Sequence, residues 1–229
     1  MNPASEVTLD FRRADRIGFE EAILCPNKTD EHLRFILDEA HARSASLLLT
    51  RMSPVQLEAL PADHRARTDY DPVSRTAFFG PVREVTRPAR VCIVAAGTSD
   101  AFVTREIART LRYYGEAAAS FMDVGLAGAW RILERVEEIR TYPIVIVVAG
   151  MDAALPTVVG GLVGSVTFAV PTSNGYGVAA GGESALRSIL ASCSPGVAAL
   201  NIDNGYGAAC AALRVCHAFD AAAERAATG

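Results

Sequence analysis

From Val91 to the end of the chain, short uninterrupted apolar blocks alternate with longer stretches in which apolar residues recur every three or four positions. "VCIVAAG" precedes a helical pattern at about 100–114, "AAASFMDVG" one at about 126–138, and "IVIVVAG" one at about 154–163. "VTFAVPTS" leads into a helix at about 178–192, and "VAALNIDNG" into a last one at about 206–223. A block without polar alternation reads as a strand buried on both faces, and such strands alternating with helices predict a parallel sheet. The fold class expected is an α/β domain with three layers, flavodoxin- or Rossmann-like.

Residues 1–90 follow another pattern, with many charges, one amphipathic helix at about 29–43 ("TDEHLRFILDEAHAR") and a strand-like "ASLLLTR" at 45–51. Arg83 to Arg90, containing Pro88, reads as a linker. The expected organisation is a small α+β N-terminal domain or arm over 1–85 and the α/β domain over 86–229. The stretch 144–170 is apolar enough to suggest a membrane helix. Pro156, Asp152 and its glycines favour two buried strands with a glycine-rich connection instead, and no membrane partner is expected.

Composition narrows the function classes. Half of the 229 residues are apolar, enough for a core, and a net charge of -4 with 22 Lys and Arg leaves no basic stripe for nucleic acid. A small-molecule partner is expected. The five cysteines form no CxxC pair, and their odd number fits a reducing compartment. "MNPASEVTLDFRR" lacks the apolar run of a signal peptide, so the expected location is cytoplasmic.

In a parallel α/β sheet, ligands bind beyond the carboxyl ends of the strands. The loops "AGTSD" (96–100), "DVG" (123–125), "AGMDAALP" (149–156), "PTSNGYG" (171–177) and "IDNGYG" (202–207) all fall there. "AGTSD" would open a helix with backbone N–H groups and the hydroxyls of Thr98 and Ser99 around an anion. Alternatively, Ser99 or Asp100 only caps that helix. The loop has neither the spacing of a Walker loop nor that of a dinucleotide fingerprint. Asp152 is a helix cap or an acid/base. Asp203 ends a strand, where an Asx turn would suffice.

Cys193, in "ASCSPG", is either a small buried hydrophobe or a thiol nucleophile at a turn; its flanking serines make it more exposed than Cys92. His32, His41, His64 and His217 stand outside all these loops, which disfavours a Ser-His triad or a zinc site.

Together, "AGTSD", "DVG.AG", "AGM..ALP..VGGL", "VPTS.GYG", "SC..G" and "NIDNGYGA" resemble the LarB family, the carboxylase/hydrolase of nickel-pincer cofactor biosynthesis. Its C-terminal domain is related to the aminoimidazole ribonucleotide carboxylases (PurE). "DFRRADRIGFEEAILCPNKT" (10–29) and "LLLTR" (47–51) extend the resemblance to the N-terminal part. It implies carboxylation of nicotinic acid adenine dinucleotide at C5 of its pyridinium ring by CO2 or bicarbonate. Phosphoanhydride cleavage then yields pyridinium-3,5-biscarboxylic acid mononucleotide and AMP.

The resemblance makes Cys193 the ring nucleophile and Asp152 the acid/base. It places Gly97, Thr98, Ser99, Asp100, Asp123, Gly150 and Met151 at the substrate. From the two NGYG loops and their flanks it adds Thr172, Ser173, Gly175, Tyr176 and Gly177, then Asp203, Asn204, Gly205 and Tyr206. Each NGYG is expected to let the backbone approach the ligand, with Tyr206 alternatively packing at a subunit contact. Two departures stand out. The family's "GMEGALP" reads "GMDAALP" here, and the histidine of the purine carboxylases' "AHLPG" is Ala154. No organic cofactor is implied. Magnesium would neutralise the pyrophosphate during cleavage, although no metal cluster is legible. A homo-oligomer, an octamer by analogy, is expected. The alternatives are a carboxylase or mutase of another ribonucleotide and an inactive nucleotide-binding module.

Overall fold

The computed structural model describes residues 6–228; the first five residues of the leader reading and Gly229 lie outside the described residues. The chain divides into two compact units, 1–84 with 113–115, and 85–112 with 116–229.

In the first unit, α1 (Arg13–Ile17) is followed by β1 (Ala22–Leu24), α2 (Asp30–Ala42) and β2 (Leu47–Thr50). Two short helices, α3 (Pro54–Ala59) and α4 (Ala62–Ala66), precede the hairpin of β3 (Thr68–Asp71) and β4 (Thr76–Phe79). The strands form a mixed sheet in the order β1-β2-β4-β3, parallel only between β1 and β2. Thr29 starts α2 with a capping box: its hydroxyl accepts from His32 N, and its own N–H donates to His32 Nδ1. The helix then buries Leu33, Ile36, Leu37 and Ala40, spaced along one stripe, against Leu47, Leu49 and Phe79.

The second unit is the α/β domain. Its strands are β5 (Val91–Ala95), β6 (Ala118–Phe121), β7 (Ile144–Ala149), β8 (Val166–Pro171) and β9 (Val197–Ala199), all parallel in the order β6-β5-β7-β8-β9. Both faces of the central strands are dry, and β5 and β7 are buried at every residue. One face (Cys92, Val94, Val145, Val147, Ala149) packs against α6 (Trp130–Leu133), α7 (Val136–Ile139), α8 (Ala154–Leu162) and α9 (Glu183–Leu190). The other layer holds α5 (Ala101–Tyr113) and α10 (Gly205–Thr228), in contact where Gly205 meets Val103 and Glu106. This is the three-layer arrangement expected, and 144–170 is β7, α8 and β8. No helix among the described residues is long and apolar enough to cross a membrane.

Two expected helices are broken. The pattern at 126–138 becomes a 3-10 turn at Leu126–Gly128 followed by α6 and α7, each one turn long. Ile132, Val136 and Ile139 still reach the core from this broken run. The helix expected from 178 starts only at Glu183, because Gly181 and Gly182 take left-handed φ values of 76° and 83° and kink the chain.

Candidate functional site

Strand order reverses between β5 and β7, since β6 lies beyond one and β8 beyond the other. The carboxyl edge at such a switch point is open, because the connections leave it in opposite directions. A cleft of about 440 Å³ opens there. Ala96 after β5, Leu126 and Ala127 after β6, and the run Ala149–Leu155 after β7, Met151 apart, line it.

Asp100 braces one wall. Only 3% exposed, its carboxylate accepts the Gly97 N–H (2.9 Å) on Oδ2, and on Oδ1 the Thr172 hydroxyl (2.7 Å) and the Asn174 amide (3.1 Å). Asn174 Nδ2 also donates to the Ser99 carbonyl at 2.6 Å. The loops after β5 and β8 are thereby locked together. Asp100 and buried Thr172 serve this brace, while Thr98 and Ser99 remain exposed at the head of α5. There the helix dipole favours an anion.

Gly150 completes the lock by its lack of a side chain. A Cβ on it would lie 2.3 Å from the Asn174 carbonyl oxygen and 2.6 Å from Thr172 Oγ1. Gly150→Ala therefore forces the β7 and β8 loops apart, at about 1–3 kcal/mol as for other overpacked sites. We expect a lowered denaturant midpoint, measured by chemical unfolding.

Four non-glycine residues at this edge, Asp123, Met151, Ala153 and Asp203, hold left-handed φ values of 58°, 56°, 45° and 56°. Each such residue costs of order 1–2 kcal/mol, and strain of this kind concentrates where a site is shaped. Asp123 is held by Arg131, whose Nη1 donates to the Asp123 carbonyl at 2.7 Å and to its carboxylate. Arg131 was not singled out in the sequence, where it falls inside the helix expected at about 126–138; its role here is to hold Asp123. Asp203 Oδ1 accepts the Ser173 N–H at 2.8 Å, a bond across thirty residues that ties the loop after β8 to the one after β9.

Asp152 stands exposed between the two strained residues of the β7 loop. Its Oδ1 accepts from Ala154 N only at 3.4 Å, a long cap bond that leaves the carboxylate at the cleft lip. Ala154 also lines the cleft, and no histidine does.

The two NGYG copies have different surroundings. The first is an exposed loop with Tyr176 79% exposed and Gly177 left-handed at φ 57°. The second starts α10: Asn204 Oδ1 accepts the Gly207 N–H at 2.8 Å, and Tyr206 N donates to Glu106 at 3.2 Å. Gly205 makes its close approach to α5, where a Cβ would sit 2.9 Å from the Val103 carbonyl oxygen, rather than to the cleft.

The cysteines separate sharply. Burial pushes the thiols of Cys25 and Cys92 up to about 12 and that of Cys216 up to about 11, and it also raises that of Cys210. Cys193 is exposed. It lies on the connection from α9 to β9, which belongs to the amino edge of the sheet because α9 runs back from the carboxyl end of β8. Within one chain the fold brings together Thr98, Ser99, Asp123, Gly150, Met151, Asp152 and Ser173 at the carboxyl edge, but not Cys193.

Among the described residues no three His, Cys, Asp or Glu side chains gather as a metal group.

A family model described as AIR carboxylase matches residues 90–228, and one described as the LarB/PurE-like N-terminal domain matches residues 2–81. An uncharacterised protein of Methanocaldococcus jannaschii is 42% identical over 127 residues, which are 55% of this chain and 48% of that protein. The chain thus spans about half the length of the curated relative it matches.

Proposed function

Because the chain belongs to the AIR carboxylase family and carries a LarB/PurE-like N-terminal domain, we propose that it is a carboxylase whose substrate is nicotinic acid adenine dinucleotide. It adds a carboxylate at C5 of the pyridinium and cleaves the phosphoanhydride, releasing AMP. The observation that carries this reading is the thiol inventory. Of five cysteines, the one in the loop between α9 and β9 is exposed, while burial holds the other four thiols protonated at neutral pH.

A pyridinium carbon is electron-poor and cannot attack CO2. The Cys193 thiolate adds to the ring carbon next to C5, and the electron pair it displaces makes the ring a neutral enamine. C5 then attacks CO2, forming the new C–C bond. A base removes the C5 proton, and the C–S bond breaks with its electrons returning to sulfur, restoring the pyridinium and the thiolate. One CO2 is consumed and one proton released. Asp152 at the cleft lip is the base, and Thr98, Ser99 and the head of α5 hold a phosphate. An aminoimidazole is already enamine-like and needs no thiol, so Ala154 in place of a histidine alongside an exposed thiol favours the pyridinium.

Cys193 sits on the connection that enters the amino end of β9 and does not line the cleft, so in this reading the thiol that attacks the ring comes from a neighbouring copy in a homo-oligomer. Large apolar side chains are exposed on both edges, Trp130, Tyr176 and Val178 at one and Leu190 just before the thiol loop at the other. The test is incubation with nicotinic acid adenine dinucleotide and 14C-bicarbonate. The expected result is labelled mononucleotide and unlabelled AMP in equal amounts. Label in aminoimidazole ribonucleotide instead, or in neither, rejects the reading.

A further inference from the structure

The loop that carries Cys193 is tied to a neighbouring helix by bonds that bridge more than thirty residues of chain. Thr157 Oγ1 on α8 donates to Ser192 Oγ at 2.8 Å, and the Ser194 hydroxyl donates back to the Thr157 carbonyl. The two serines that flank the thiol are also tied to each other, Ser194 N donating to Ser192 Oγ at 3.1 Å. One helical turn beyond Thr157, Gly160 presents bare backbone to the same loop. A Cβ there would meet Val197 Cγ2 at 2.5 Å and Ser194 Cβ at 3.2 Å. Thr157 and Gly160 lie on one face of α8, so a hydroxyl clamp and a close packing seat act at the same place.

We propose that Thr157 is a positioning residue for Cys193: it clamps both flanks of the thiol loop to α8, the helix whose head follows Asp152. This inference rests on the thiol reading of Cys193. A turn between α9 and β9 needs no bond to α8 to close; Gly196, left-handed at φ 82°, already reverses the chain. The clamp instead fixes where the exposed thiol points. A misplacement of about 1 Å at a reacting centre costs on the order of 100-fold in rate, which sets the scale of what the clamp protects.

The test compares Thr157→Val, which keeps the shape and removes the hydroxyl, with Thr157→Ser, which keeps the hydroxyl. Label incorporation from 14C-bicarbonate with nicotinic acid adenine dinucleotide gives kcat and KM. Hydrogen exchange of the amides at 191–196 reads the loop without substrate. We expect Thr157→Val to lower kcat at least tenfold with KM within twofold, and to speed exchange in the loop at least tenfold. Thr157→Ser restores both to within twofold of the parent. If Thr157→Val does not fold, Ser192→Ala removes the partner of the Thr157 hydroxyl from the loop side. Unchanged loop exchange overturns the clamp whatever the substrate is. Faster exchange with kcat within twofold, or equal loss of kcat in the Val and Ser variants, reduces the contact to a structural one and overturns the positioning role. A Cys193→Ser variant that still incorporates label rejects the thiol reading, and the positioning role with it.

Discussion

Cys193→Ser lowers label incorporation by about a thousandfold or more, an increase of about 4 kcal/mol in the barrier, without changing the fold. A serine hydroxyl has almost no anion at neutral pH and leaves a saturated carbon poorly, so both addition to the ring and its final rearomatisation fail. No other thiol rescues the reaction, because Cys25, Cys92, Cys210 and Cys216 are kept protonated by burial. Stability is the control that separates chemistry from folding. An exposed side chain changed by one atom alters the unfolding free energy by no more than about 0.5 kcal/mol. Retention of more than a tenth of the parent incorporation at an unchanged unfolding midpoint would falsify the nucleophile role. The buried Cys92→Ser serves as the opposite case: the hydroxyl replaces a fully buried thiol in β5, so stability falls while the chemistry per folded molecule is kept.

The α/β unit was legible because its strands are buried on both faces. Blocks such as Ile144–Ala149 carry no alternation to confuse with a surface strand, and the helices between them keep their stripe. The N-terminal sheet was not, since β1, β3 and β4 have three or four residues each, too few for a periodicity to emerge. The break between α6 and α7 contains neither glycine nor proline between Trp130 and Ile139, so nothing local marked it. The kink before α9 did carry a sign, in the paired glycines 181 and 182.

At the site, motif position was a better guide than residue type. Loops following strands gathered at one edge, as parallel topology requires, but the burial of Asp100 and the packing of Gly205 against α5 depend on contacts with residues far along the chain. A carboxylate in a Gly-Thr-Ser-Asp loop looks the same in sequence whether it faces a ligand or braces two loops. Arg131 was missed for the converse reason, since its value lies in reaching Asp123 rather than in any spacing. The edge on which Cys193 lies was implicit in the same alternation that revealed the fold, because a helix-to-strand connection returns to the amino side.

That last placement yields an expected result that a single-chain site cannot produce. Asp152→Asn removes the base at the cleft lip and lowers label incorporation by at least about 100-fold, the scale of a lost general base. Cys193→Ser silences the thiol loop on the other edge. A particle built from either variant alone is inactive. When the two chains are co-expressed with distinct tags and purified through both, some clefts with Asp152 intact face a neighbour whose Cys193 is intact. Random pairing of equal amounts makes about one quarter of the sites complete, because each of the two contributors is intact with even odds. Recovery near that fraction of parental activity requires that thiol and carboxylate act across a subunit boundary. If each site were built within one chain, no mixture could complete it, and activity would stay at the level of the separate variants.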